Sequence, residues 1–180
     1  MYGDTTRTDN DHQVILKYKT NKLNKTSKKL TQENMHHSGP KSPMDKYFLM
    51  TGNTNWGIQN LEYDPHTGDF FAAVYKGAKS KFPNYKLFVI DGHKKPYKAE
   101  IKSDNKTLKV KKLSLLDAGL KDAKTGIRGW NFKWGATGLF PVGDGYFYIS
   151  HDKKIGGKEA TTIHKYKWVG SEKEAFKLVD

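Results

Sequence analysis

The feature that most restricts how this chain folds is an echo inside it. Trp56-Gly57-Ile58-Gln59-Asn60-Leu61 returns as Trp134-Gly135-Ala136-Thr137-Gly138-Leu139, 78 residues later (134 less 56). After a one-residue deletion, Gly68-Asp69-Phe70-Phe71 matches Gly145-Tyr146-Phe147-Tyr148. Tyr85-Lys86-Leu87-Phe88-Val89 then runs against Thr161-Thr162-Ile163-His164-Lys165, and Ile15-Leu16-Lys17-Tyr18-Lys19 echoes Ile163-His164-Lys165-Tyr166-Lys167. A unit of this size that recurs is a supersecondary structure unable to bury its apolar face alone, so neighbouring units must cover one another.

The local chemistry within each unit is that of strands. Leu61 to Tyr75 reads as a hairpin: Asp64-Pro65 starts the turn, aspartate holding the following amides while proline presets φ, and Gly68 takes the positive φ that re-enters the second strand. Leu87-Phe88-Val89-Ile90 is a continuous apolar run, suited to a strand covered on both faces. Leu108, Val110 and Leu113 suggest a further strand with lysines outward, and Ser114 to Leu120 suggests one helical turn. No long helix is expected. Residues 1–45 form a polar segment with one strand near Val14 to Tyr18 and a long irregular connection rich in Lys, Asn, Ser, Gly and Pro. Residues 46–180 hold two repeated β units, about 47–120 and 121–180.

Each unit therefore reads strand, turn, strand, loop, strand, followed by a fourth strand or a connection. Over residues 47–170 this layout resembles consecutive blades of a β-propeller. The chain is also similar to uncharacterised bacterial proteins with Gly-Asn-Thr and Trp-Gly segments, which bring no activity with them. The spacing is longer than WD40 or kelch repeats. The resemblance implies an all-β fold of antiparallel blades, two plus a partial one, from the C-terminal part of a longer propeller. Propellers hold four to eight blades, so an incomplete one exposes apolar faces. Phe70, Ala72, Val74, Leu87, Val89, Phe147 and Ile149 then need cover, and self-association through those faces is expected.

Composition narrows the function classes. The formal net charge is +13, with 32 Lys and Arg against 19 Asp and Glu, yet the only arginines are Arg7 and Arg128. Specific phosphate and base readers lean on arginine, so scattered lysines describe a solvated surface and no specific nucleic-acid partner; a purely electrostatic polyanion binder is the second alternative. The absence of cysteine excludes disulfides, thiolate metal sites and cysteine nucleophiles. No apolar run reaches the ~18 residues of a membrane span. The N-terminus lacks the basic and apolar regions of a signal peptide, which as written places the chain in the cytoplasm, or outside the cell if an upstream part is missing.

Ligand sites in blades collect where inner strands begin and second strands end, because rigid sheets hold the loops there. The first unit offers Asn53, Asn55, Trp56, Gln59, Asn60, Tyr75 and Lys76 at that end. The second offers Arg128, Trp130, Asn131, Lys133, Trp134, His151 and Asp152, and the N-terminal segment adds Arg7, Asp9, Asn10, Asp11 and His12. Amides, aromatic rings and a few charges suit a carbohydrate or another small polar ligand. The first alternative is a glycoside- or ester-type hydrolase, with His151 and Asp152 as an acid–base pair and Arg128 as a participant. Neighbouring residues of a strand point to opposite faces, so that pair needs the strand to have ended.

No cofactor or metal is expected. Asp9-Asn10-Asp11-His12 lacks the terminal glutamate and spacing of an EF-hand. His36-His37 has no finger spacing. Gly156-Gly157-Lys158 lacks the rest of a P-loop. There is no Gly-x-Ser-x-Gly elbow, and Glu62, Asp64, Asp144 and Asp152 form no recognisable glycosidase pair.

Overall fold

The structure is a computed structural model that describes residues 4–33, 35, 38–103 and 106–179. His36 and His37 lie outside the described residues. The chain is all-β. Its strands are β1 (His12–Lys17), β2 (Asp45–Met50), β3 (Asn55–Asp64), β4 (Asp69–Tyr75), β5 (Leu87–Ile90), β6 (Tyr97–Ser103) and β7 (Lys106–Leu113). They continue as β8 (Leu120–Lys121), β9 (Arg128–Gly129), β10 (Leu139–Pro141), β11 (Tyr146–Ile155), β12 (Lys158–Trp168) and β13 (Phe176–Leu178). Among the described residues, helix is confined to one 3-10 turn at Thr20–Lys22 and one α-helical turn at Leu23–Thr26. No helix among them is long and apolar enough to cross a membrane.

Three larger sheets and the two-stranded pair β8–β9 make up the fold, and among the described residues none closes on itself. Sheet I has the order β1-β2-β7-β6, antiparallel except for the parallel pair β2–β7. Sheet II is the antiparallel set β3-β4-β5. Sheet III is the antiparallel meander β10-β11-β12-β13. Residues 47–120 thus supply strands to two sheets: β2, β6 and β7 join β1 in sheet I, while β3 to β5 form sheet II.

Sheet II sits in the middle because both of its faces are apolar. Phe71 and Val89 are directly paired, as are Ala72 and Phe88, so adjacent residues of β4 and β5 serve opposite faces. Phe71, Leu87 and Val89 pack against Leu139, Phe147 and Ile149 of sheet III, together with Trp130 and Phe176. The Phe71 ring lies 4.7 Å from the rings of both Phe147 and Trp168. On the other face Ala72, Val74 and Phe88 pack with Phe82, Tyr85 and Ile127. This double cover is what the run Leu87 to Ile90 demands, and all four of its residues are buried.

The turn at Asp64 forms as its chemistry dictates. The carboxylate accepts hydrogen bonds from the amides of His66 and Thr67, both at 3.2 Å, and Gly68 adopts a φ of 76°. In the first hairpin Tyr63 pairs with Phe70, Glu62 with Phe71 and Leu61 with Ala72. In the second, Pro141 pairs with Phe147, Phe140 with Tyr148 and Leu139 with Ile149. These are the positions that the two sequence segments equate. The third strands follow: Val89 faces Phe71 where Lys165 faces Tyr148. The two tryptophans differ. Trp56 lies within β3, whereas Trp134 lies in a turn ahead of β10.

Two expectations need correction. Ser114 to Leu120 is not a helical turn: Leu115 bridges Ile90 and the Leu116 amide donates to the Val89 carbonyl at 2.8 Å. The open edge of β5 offers these backbone groups partners, and satisfying that edge outweighs a single helical turn. The apolar residues expected to need a partner also find cover inside the chain. Ala72, Val74, Leu87, Val89, Phe147 and Ile149 are buried, and only Phe70 is exposed.

A buried polar network ties the N-terminal segment to this frame. The Lys79 ammonium is 5% exposed and donates to the Arg7 carbonyl, to Asn10 Oδ1 at 2.7 Å and to the Asp11 carboxylate, which also meets Lys81 at 3.0 Å. Beside it, Gln13 Nε2 donates to Thr54 Oγ1 at 2.8 Å and Thr51 Oγ1 at 3.1 Å. Charges are buried here because each is paired and hydrogen-bonded.

Candidate functional site

The segment from Lys133 to Gly138 is bent into consecutive turns and pinned onto β11. Thr137 Oγ1 lies 2.6 Å from the carbonyls of both Trp134 and Ser150, which share its one proton, and the Gly138 amide donates to Ser150 Oγ at 2.7 Å. Asn60 Nδ2 donates to the Leu139 carbonyl at 3.0 Å, joining β3 to the start of β10. Lys86 Nζ reaches the Lys133 carbonyl at 3.3 Å. These bonds hold the loop against the ends of sheets II and III and leave a cleft of about 390 Å³ lined by Gln59, Tyr75, Lys86, Lys133, Ser150 and Asp152. That volume lies within the range of small-molecule sites.

Behind the loop a second arrangement forms on the inner face of sheet III. The Trp134 and His151 rings stack at 3.8 Å and 12°, and His151 and His164 stack at 4.1 Å. His151 Nε2 is 2.8 Å from the Tyr166 hydroxyl, and the Lys133 ammonium lies 4.4 Å above the Trp134 ring. Burial holds the His151 imidazole below its ordinary value; His164 and Lys133 add to the effect and Asp152 opposes it.

Trp56 stands at the head of β3. It has a φ of 64°, Gly57 follows at 81°, and the pairing register shifts between Asn55 and Ile58. A non-glycine residue in this region stores backbone strain of about 1–3 kcal/mol, which persists only where the surroundings impose it. The side chain is 77% exposed. Asn55 is the cross-strand partner of Tyr75, so Trp56 follows directly on the residue opposite one wall of the cleft.

Gln59, Lys133 and Asp152 thus come together with Tyr75 in one cleft; Asn55, opposite Tyr75, and Trp134, next to Lys133, adjoin lining residues without lining it, and Trp56 comes one residue further on. Lys76 and Asn131 are exposed outside its lining, Asn60 is occupied with the Leu139 carbonyl, and Asn53 is buried with its Oδ1 accepting from the Ala78 amide at 3.3 Å. Trp130 is 2% exposed and its Nε1 donates to the Ser171 carbonyl at 2.8 Å, so it packs the core and presents nothing to a ligand. Arg128 pairs with Asp117 at 2.7 Å and borders a separate depression with Lys94 and Lys121. His151 and Asp152 do not pair, because β11 runs on to Ile155 and its alternation sends them to opposite faces. Arg7, Asp9, Asn10, Asp11 and His12 belong to the N-terminal attachment and its strand, away from the cleft lining.

Reasoning on the sequence missed Lys86 and Ser150 in the lining, and His164 and Tyr166 in the stack. The last two carried a signal: Thr162, His164, Tyr166 and Trp168 alternate along one strand with the pattern of an inward face. Among the described residues no group of three or more His, Cys, Asp or Glu is placed to hold a metal ion. Comparisons with protein-family models, with curated proteins and with solved structures find no match to the chain.

Proposed function

We propose that the chain is a binding module built on propeller-type stacking of sheets, and that it takes a carbohydrate or another small polar ligand at the cleft between sheets II and III. The observation that carries this reading is the meeting of an amide, a phenol, two ammonium groups and a carboxylate, from Gln59, Tyr75, Lys86, Lys133 and Asp152, with the exposed Trp56 one residue beyond the cross-strand partner of Tyr75. Aromatic rings cover the apolar faces of a sugar ring, and amides, carboxylates and ammonium groups hold its hydroxyls. Two lysines against one aspartate favour a sugar that bears a carboxylate. Trp56, held exposed on a strained backbone, is the platform.

Support for propeller-type stacking comes from the matched registers of the two hairpins and from Asn60, which links the first strands of sheets II and III. A glycan array of neutral and acidic sugars, followed by calorimetry, tests the ligand reading. Trp56→Ala, Tyr75→Ala and Asp152→Ala each weaken binding about 10-fold or more, the equivalent of about 1.4 kcal/mol. Absence of binding to every sugar class, or binding indifferent to all three substitutions, refutes it.

A further inference from the structure

We propose that a second copy of this chain covers the open face of sheet III with the open face of its own sheet I, so that two copies associate head to tail. The inference rests on the stacked-sheet reading above, and the face concerned also carries Ser150 and Asp152 of the cleft. Direct cross-strand partners share a face, and the matched registers equate Tyr148 with Phe71 and Ile163 with Leu87. Sheet II uses Phe71 and Leu87, both fully buried, to receive sheet III. Sheet III holds the equivalent positions with Tyr148, 45% exposed, and Ile163, 68% exposed. Phe140, which pairs with Tyr148, and Val142 are exposed too. The receiving surface is repeated and its occupant comes from outside the chain.

The opposite end of the stack supplies the match. In sheet I, Leu49 is fully buried and Ile15, Tyr47 and Leu113 face a space lined also by Leu61, Phe70 and Ile90 of sheet II. The other face of sheet I carries Val14, Phe48, Ala99, Leu108 and Val110, with Lys112 in the same row as Val14 and Phe48. Val14 and Leu108 are exposed, and Phe48 is half-buried. Stacking runs in one direction, sheet I onto II and II onto III, so the face that continues it on sheet III is the outer face of another sheet I. Self-pairing of sheet III is opposed by charge: it sets Lys165, Lys167 and Lys177, which share the face of Tyr148 and Tyr146, against their own copies. On the sheet I face the apolar residues surround Lys112, which is half-buried between Phe48 and Tyr97. Two copies joined this way satisfy both faces of each by a two-fold axis.

Sedimentation velocity on the full chain tests this. The wild type associates at tens of micromolar, more strongly at about 0.3 M than at about 0.05 M salt because screening relieves lysine repulsion. Ile163→Glu and Leu108→Glu change exposed positions on the two faces, and far-UV circular dichroism verifies that both variants fold. Each weakens association about 10-fold or more. In a mixed pair one junction keeps both wild-type faces and the other carries both substitutions, so an equimolar mixture recovers part of the association. A wild type that stays monomeric, a Leu108→Glu variant that associates like the wild type, or a mixture that associates no better than either variant alone overturns the proposal. Sugar binding measured with Leu108→Glu, whose sheet contributes nothing to the cleft, keeps a failure here distinct from a failure of the ligand reading.

Discussion

At most strand positions glycine is worse than alanine; Trp56 reverses that order. At a φ of 64° any residue with a Cβ carries the left-handed penalty of about 1–2 kcal/mol. Trp56→Ala retains the penalty and loses the limited contact of a ring that is 77% exposed. Trp56→Gly loses the same contact and removes the penalty, while its extra chain entropy in the unfolded state costs about 0.5–1 kcal/mol relative to alanine. The difference leaves the glycine variant about 1 kcal/mol more stable than the alanine variant, or about 2–4 °C in Tm for a chain of this size. Urea and thermal denaturation of the two variants measure this directly. Both lose sugar affinity to the same degree, so stability and binding part company at one residue, as expected where a strained residue is kept for function. A glycine variant less stable than the alanine variant refutes the left-handed backbone, and with it the reason for regarding Trp56 as a held platform.

Phe71→Ala costs about 3–5 kcal/mol because it empties a fully buried position among Phe147, Trp168 and Phe176, whereas Tyr148→Ala, at the matched register, costs under about 1 kcal/mol in dilute solution; equal losses in denaturant titrations contradict the sheet order given above. His12, lowered to about 4 chiefly by burial, with Lys112 adding and Asp11 opposing, is neutral in the fold where the unfolded imidazole titrates near its ordinary 6.5. The unfolded chain therefore binds more protons between those values: His12's contribution is fully present above pH 6.5 and is lost as pH falls towards 4. After allowance for its partial exposure the loss is about 2 kcal/mol, and His12→Gln flattens that part of the pH–stability curve. A slope unchanged in His12→Gln assigns it elsewhere. His151 also titrates below its ordinary range, so the fluorescence of Trp134, against which it stacks, changes on acidification below about pH 6.5. His151→Gln abolishes that step; its survival shows that another group reports.

What was legible in the sequence is what local chemistry decides. Asp64, Pro65 and Gly68 announced their turn because each imposes its own torsion or hydrogen bond, and Leu87 to Ile90 announced a strand buried twice because nothing polar interrupts it. The cleft was legible by halves. Gln59, Tyr75, Lys133 and Asp152 were found because the repeat places them at one end of two sheets, but Lys86 and Ser150 arrive through the loop's hydrogen bonds, which no periodicity encodes. The parallel contact of β2 with β7 was equally hidden, since it joins strands far apart in the chain and depends on which edges the intervening strands leave open. The two Trp-Gly segments show the same limit most sharply. Identical dipeptides lead one tryptophan into solvent on a left-handed backbone and the other onto a histidine, because Gly57 extends a bulge within β3 while Gly135 lies in a turn whose neighbour, Thr137, is bonded to β11. The repeat marks where each unit begins; the partners on the adjoining strand decide whether its tryptophan is packed or presented.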